Sequence, residues 1–329
     1  MDYYCFDSHC DTASRILDEQ EQLSDNTGHV SIRKMREYKG FVQFFAAFVD
    51  PDLPNPLQRC LSIIDKLYED VDKYSANIAI VKNYAQMIAA LEKGKVAAFL
   101  TVEGGEAVIG DLAVLRTLYR LGVRSMTLTW NYSNQIATGV LGQNQHLSHE
   151  DLGEMICSGR IENRGGLTEF GREVVKEMNR LGMVVDVSHI SPDSFYDVAA
   201  LSTKPFIASH SNAKAVCPHV RNLDDDQFKT IVKAGGMVGL NFCPAFLRCE
   251  DFADVNDMLR HIEHFLSLGG ENHIGLGADF DGIDSTPIDV SDVSKLDILH
   301  NALLRQNYSE ELTDKIFFKN YFTFVKNNF

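Results

Sequence analysis

Five short motifs hold the residues that could do chemistry in this chain. His9 and Asp11 stand in Phe6-Asp7-Ser8-His9-Cys10-Asp11-Thr12, Glu103 in Thr101-Val102-Glu103-Gly104-Gly105, and His189 in Asp186-Val187-Ser188-His189. His210 stands in Ala208-Ser209-His210-Ser211-Asn212 and Asp279 in Gly277-Ala278-Asp279-Phe280-Asp281-Gly282. In an extended segment residues two apart point to one side, so His9 and Asp11 could grip one ion. Imidazole and carboxylate donors suit Zn²⁺, with Mn²⁺ or Co²⁺ as substitutes. Three imidazoles and at least two carboxylates exceed what one tetrahedral zinc uses, so the donor set predicts two ions sharing a bridging carboxylate. Two such ions would outweigh the carboxylate charge and retain a bridging hydroxide, a nucleophile at neutral pH.

A single histidine after a strand is more often a hydrogen-bonded structural residue than a ligand. What sets these motifs apart is that each follows an apolar run. The other histidines (His29, His146, His149, His219, His261, His264, His273 and His300) lack that placement and read as structural. His261 and His264, three apart, read as a solvated helix face. Asp224-Asp225-Asp226 reads as a helix N-terminus, where the macrodipole favours acids. Trp130 reads as a core or pocket-wall aromatic.

The apolar runs are Tyr3–Phe6, Val42–Val49, Val96–Val102, Ser125–Thr129, Met183–Val187, Phe206–Ser209, Met237–Asn241 and Ile274–Gly277. Helical patterns lie between most of them: Leu57–Tyr74, Asp111–Leu121, Glu169–Leu181, Asp224–Ala234 and Asp254–Leu268. Thr168 and Gly182 supply a start and a stop for one of these. Leu112, Leu115, Leu118 and Tyr119 keep the spacing of one buried helix face. Near-continuous apolar strands alternating with helices predict a parallel sheet covered on both sides. Eight such beats fit an α/β fold of the (β/α)8 TIM-barrel type, which gathers its strand ends onto one active-site face. A doubly wound sheet is the fallback, but Gly104-Gly105 and Gly235-Gly236 form no phosphate-binding loop. The stretch from 131 to 166 is long enough to be a lid or pocket wall near that face.

Lysine and arginine total 31 against 46 acidic residues, a formal charge of −15, which argues against a nucleic-acid partner. The seven cysteines are scattered and never paired as C-x-x-C, so they read as reduced, buried thiols of a cytoplasmic protein. The opening residues show neither a basic nor an apolar leader region, and no run is long enough to span a membrane. No linker or low-complexity tract divides the chain, so one domain over 1–329 is expected.

The motifs resemble the membrane (renal-type) dipeptidase family of zinc peptidases, in its soluble bacterial form. The likeness spans nearly the whole chain. Besides the five motifs it includes Gly122-Val123-Arg124-Ser125-Met126-Thr127-Leu128-Thr129, Gly166-Leu167-Thr168-Glu169-Phe170-Gly171-Arg172-Glu173-Val174-Val175, Asn179-Arg180-Leu181-Gly182-Met183 and Arg221-Asn222-Leu223. The resemblance implies a barrel enzyme that cleaves dipeptides, including L–D dipeptides, with two zinc ions. It assigns His9 and Asp11 to the first ion, Glu103 as the bridge, and His189 and His210 to the second. Arg221 would hold the substrate's C-terminal carboxylate, for which its planar fork is suited. Asp279 would move the proton and meet the α-amino group, with Asp281 the alternative. A homodimer is a further expectation of the likeness. One position departs: where mammalian members carry a substrate-contacting histidine, this chain has Trp130 followed by Asn131. An indole donates one hydrogen bond and carries no proton charge, so Asn131, His146 or His149 would have to replace that function. Competing readings are a related amidohydrolase, such as an N-acyl-D-amino-acid deacylase, and an inactive metal-binding scaffold. Phosphotriesterase-type or urease-type sites fit less well, since those open with H-x-H and bridge through a modified lysine.

Overall fold

The computed structural model describes residues 1–142, 165–249 and 252–329. Eight strands run in one curled sheet: β1 (Tyr4–Cys10), β2 (Gly40–Phe48), β3 (Ile78–Ile80), β4 (Val96–Glu103), β5 (Val123–Thr127), β6 (Val184–Asp186), β7 (Val238–Leu240) and β8 (Ile274–Leu276). Every ladder is parallel, in the order β6-β5-β4-β2-β1-β8-β7. Two isolated parallel bridges, Asp186↔Ile207 and Ala208↔Val238, connect β6 to β7 through residues 206–209. These bridges complete a (β/α)8-type barrel, the expected architecture.

Two staves depart from expectation. The run Phe206–Ser209 makes bridges only, since Pro205 at its entrance has no N–H to give to a ladder. Conversely, β3 pairs with Val96–Ala98 of β4 on the edge that β5 uses further along. Its three residues, two of them half-exposed, were too short to form an apolar run. The helices fall where their periodicity places them. Thr168 accepts a hydrogen bond from the Gly171 N–H at 2.9 Å, and Gly182 ends the helix Glu169–Leu181 in the left-handed region. Asp224 caps the helix Asp225–Lys233 with a full capping box.

Alternate strand residues fill the barrel floor. Phe6, Phe44 and Phe99 are buried there, with ring centroids 5.4 Å and 5.2 Å apart along that series. Tyr321, from the C-terminal helix Asn320–Asn328, stacks on Phe6 at 5.1 Å and closes the floor from below. The opposite ends of the strands carry the five motifs. Because such a floor cannot collapse around a missing ring, Phe44→Ala is expected to cost about 3–5 kcal/mol. Urea denaturation should show a lower midpoint at an unchanged m-value.

Candidate metal centre

His9 lies in β1 where its pairing with β2 shifts register between Asp7 and Cys10, an irregularity that re-aims side chains. Asp11 has left the strand: it precedes the helix Thr12–Asp18 with φ −99° and ψ 14°. Both side chains still converge, His9 Nε2 lying 3.3 Å from Asp11 Oδ2, but by the strand-to-helix turn and not by the alternation of an extended segment. Glu103 ends β4, locked between Phe48 of β2 and Thr127 of β5. Its Oε2 is 3.2 Å from His9 Nε2, while Oε1 is 2.9 Å from His189 Nε2 and 3.6 Å from His210 Nε2. Asp279 Oδ1 stands 3.7 Å from His9 Nε2. All six side chains are buried.

Converging donors are what a cation would repay. His9 Nε2 and Asp11 Oδ1 make no hydrogen bond among the described residues, despite the carboxylate oxygens close to the imidazole. The two Nε2 atoms of His189 and His210 face one another at 2.7 Å. The donors group as His9–Asp11–Glu103, Glu103–His189–His210 and His9–His210–Asp279; the first two share Glu103, so the residues can fit a pair of cations there. Electrostatics divide the donor set. Burial opposes charge on His9, yet Glu103 and Asp11 hold its pKa well above the ordinary value. Burial also works against an ionised Glu103, but His9 and His189 keep it well below the usual carboxylate range. Burial pushes Asp11 up to about 7, with Glu103 adding, and Asp279 up to about 6. Burial brings His189 down to about 3, helped by Arg221, and places His210 well below its ordinary value. Both imidazoles are therefore neutral, the form a metal ligand needs.

A cavity of about 710 Å³ opens above the cluster, lined among others by Asp11, Glu103, Trp130, Asn131, His189 and Asp279. Trp130 is half-buried on its wall, with Phe48 at 5.6 Å and Tyr132 at 5.9 Å between ring centroids. Arg221 is buried beside the centre, not on that wall. Its Nη2 donates to the His210 carbonyl at 3.3 Å, and its guanidinium lies 5.4 Å from the Phe246 ring, which does line the cavity. Its Nε has no partner among the described residues. His146 and His149 fall outside the described residues, as does most of the 131–166 stretch.

Asp281 does not share the contacts of Asp279: its carboxylate accepts from Thr12 Oγ1 and the His29 N–H at 2.6 Å each. Several supporting residues carried no assignment. Asp7 accepts from the Ala278 N–H at 2.8 Å and from Gln43 at 3.1 Å, and Asn241 Nδ2 donates to Asp279 Oδ2 at 2.9 Å. Asp7 and Asn241 both sit inside recognised motifs or runs, which was the only available signal. Gly282 could be seen only in three dimensions, where a Cβ would collide with Asp11 Oδ2. Among the remaining described histidines, His261 is not on a solvated face. It is fully buried, accepting from the Ala213 N–H and donating to the Leu247 carbonyl, both at 3.0 Å.

Known proteins resemble this chain over its whole length. The family profile described as membrane dipeptidase (peptidase family M19) matches residues 2–328. A crystal structure of dipeptidase AC, a metallo peptidase of family M19, is 31% identical with a TM-score of 0.87, covering 99% of this chain and 98% of that one. A metallo peptidase from Rhodobacter sphaeroides, solved with a phosphinate mimic of the dipeptide L-Ala-D-Ala, is 30% identical over 99% of both chains, at a TM-score of 0.86. The probable dipeptidase PvdM from Pseudomonas aeruginosa, 19% identical with a TM-score of 0.86 over 99% of this chain and 96% of that one, shares the fold. The chain belongs to the membrane dipeptidase family, peptidase family M19, and is a metallopeptidase.

Burial holds His261 at a pKa of about 4, below its unfolded value near 6.5, so the unfolded chain takes up this proton first. The stabilisation it contributes is complete above pH 6.5 and falls as pH drops toward 4, by about 3 kcal/mol. Denaturation of metal-free protein at pH 6.5 and 4.5 should show a smaller loss for His261→Gln than for wild type.

Proposed function

We propose that this member of the dipeptidase family hydrolyses free dipeptides, L–D dipeptides among them, with two zinc ions held by His9, Asp11, Glu103, His189 and His210. The observation that carries the reading is the divided carboxylate of Glu103, one oxygen toward His9 and the other toward His189. An imidazole and carboxylate set of this kind matches zinc chemistry. Bound there, zinc would polarise the scissile carbonyl and acidify a water enough to make it a nucleophile at neutral pH.

The chain's own side chains do the rest. Asp279 accepts the proton of the attacking water at its carboxylate and returns it to the leaving amine. Asn241 fixes one of its oxygens, so the other stays turned toward the centre. The same carboxylate receives the substrate's α-amino group, while Arg221 receives its C-terminal carboxylate through its spare donors. Two charged anchors at a set spacing admit a dipeptide and exclude longer peptides. Trp130 and Asn131 contribute the wall against which a substrate side chain rests. A D-configured C-terminal residue is included because the relative from Rhodobacter sphaeroides was solved with an L-Ala-D-Ala mimic. A cytoplasmic setting, where thiols stay reduced, is part of this reading.

Chelator-treated protein is expected to lose dipeptide hydrolysis and recover it with two equivalents of Zn²⁺ per chain. N-acetylated dipeptides should be turned over far more slowly than free ones. Faster turnover of the blocked substrates would replace this reading with a deacylase, and less than one ion per chain with no hydrolysis would leave an inactive scaffold. Arg221→Lys should raise KM for dipeptides roughly tenfold or more with a smaller change in kcat, because the bidentate fork is lost. Steady-state kinetics on L-Ala-D-Ala checks this.

A further inference from the structure

We infer that Asn131 is a positioning residue that holds the His189 ring as the tautomer with hydrogen on Nδ1, leaving Nε2 as the donor beside Glu103. The inference rests on the two-zinc reading above. Asn131 Oδ1 lies 2.7 Å from His189 Nδ1. A carboxamide oxygen only accepts, so Nδ1 must carry the hydrogen and Nε2, 2.9 Å from Glu103 Oε1, must present its lone pair. Orientation by a partner on the far ring nitrogen is how a ligating imidazole is commonly fixed.

The same segment holds the backbone of His189. That residue has φ +72°, the left-handed region that a side-chain-bearing residue seldom occupies. Its carbonyl accepts from the Val140 N–H at 2.7 Å, and the Leu141 N–H returns to the Asn131 carbonyl at 2.7 Å. Gly139 bridges to Ile190, and the Ser191 N–H donates to the Thr138 carbonyl at 2.9 Å. Residues 131–142 thus clasp His189 at ring and main chain together. His210 is held differently: its Nδ1 meets Ser209 Oγ, its own neighbour on the barrel wall, at 2.7 Å. Asn131 therefore serves one imidazole, and its loss should be felt at one ion.

The test is zinc binding to metal-free protein, measured by competition with a chromophoric chelator, for wild type, Asn131→Leu and Asn131→Asp. Wild type is expected to bind two ions. Asn131→Leu should keep one at wild-type affinity and weaken the other by about 10–100-fold. Asn131→Asp, whose side chain can accept but not donate once ionised, should restore the second ion to within a few-fold. Circular dichroism and the thermal midpoint of each metal-free variant verify that it is folded. Equal affinity for both ions in Asn131→Leu overturns the inference, and so does an Asn131→Asp variant as weak as Asn131→Leu. A wild-type isotherm with fewer than two ions overturns the two-zinc reading and this inference with it, which separates the two failures.

Discussion

The upper half of the barrel is organised around one carboxylate that answers to two sets of donors. Glu103 ends β4, whose neighbours β2 and β5 both pair with that residue, so its backbone is among the most constrained in the sheet. From there Oε2 faces His9 and Oε1 faces His189 and His210. Three buried acids, Asp11, Glu103 and Asp279, share this small volume, and uncompensated buried charge is costly. Without a cation the cluster redistributes protons: His9 retains one, and burial draws Asp11 and Asp279 up to about 7 and 6. Divalent cations would displace those protons and meet the same demand for positive charge, which couples binding to proton release.

The loops at the strand ends take up the strain of this convergence. His189, Asp279 and Asp281 all have positive φ, between 62° and 72°. Each such residue costs on the order of 1 kcal/mol or more and persists only when its surroundings over-determine it. They do so here. The Asp279 N–H donates to the His9 carbonyl at 3.2 Å, tying the loop after β8 to the first stave. Asp281 binds the first helix through Thr12 and the following loop through the His29 N–H. Gly282 stays bare because any side chain there would enter the space of Asp11 and Asp279.

Much of this was legible in the sequence, and the reasons differ by residue. The strand ends could be read because a buried parallel strand needs an unbroken apolar run, and the polar residue after it stands out. The helix Glu169–Leu181 could be read to its boundaries because Thr168 and Gly182 have well-defined capping roles. The pairing of His9 with Asp11 was anticipated for an incomplete reason, since Asp11 turns into a helix and the register slip in β1 does the aiming. The contact of Asn131 with His189 joins residues 58 positions apart, and no local pattern encodes such a distance. His261 looked like part of a polar helix face because its two partners, Ala213 and Leu247, contribute main-chain groups that carry no side-chain signature.

On the proposed roles, the two anchors for the substrate termini are built from the same backbone that positions the metal donors. Arg221 binds the carbonyl of His210, and the main chain of Asp279 binds the carbonyl of His9. Displacing either anchor would therefore displace an imidazole donor as well. The spacing that measures a dipeptide and the spacing between the donor sets cannot vary independently. Trp130 touches this coupling at one donor: its ring meets Phe48, Tyr132 and the His189 imidazole, the last at 6.1 Å between centroids. Its indole, where the mammalian members carry a histidine, would shape the wall that meets a substrate side chain and rest against His189 at the same time. On these roles, selectivity among dipeptides would rest on Trp130, which meets one donor imidazole, and the restriction to dipeptides on Arg221 and Asp279, whose contacts reach the main chain of two others.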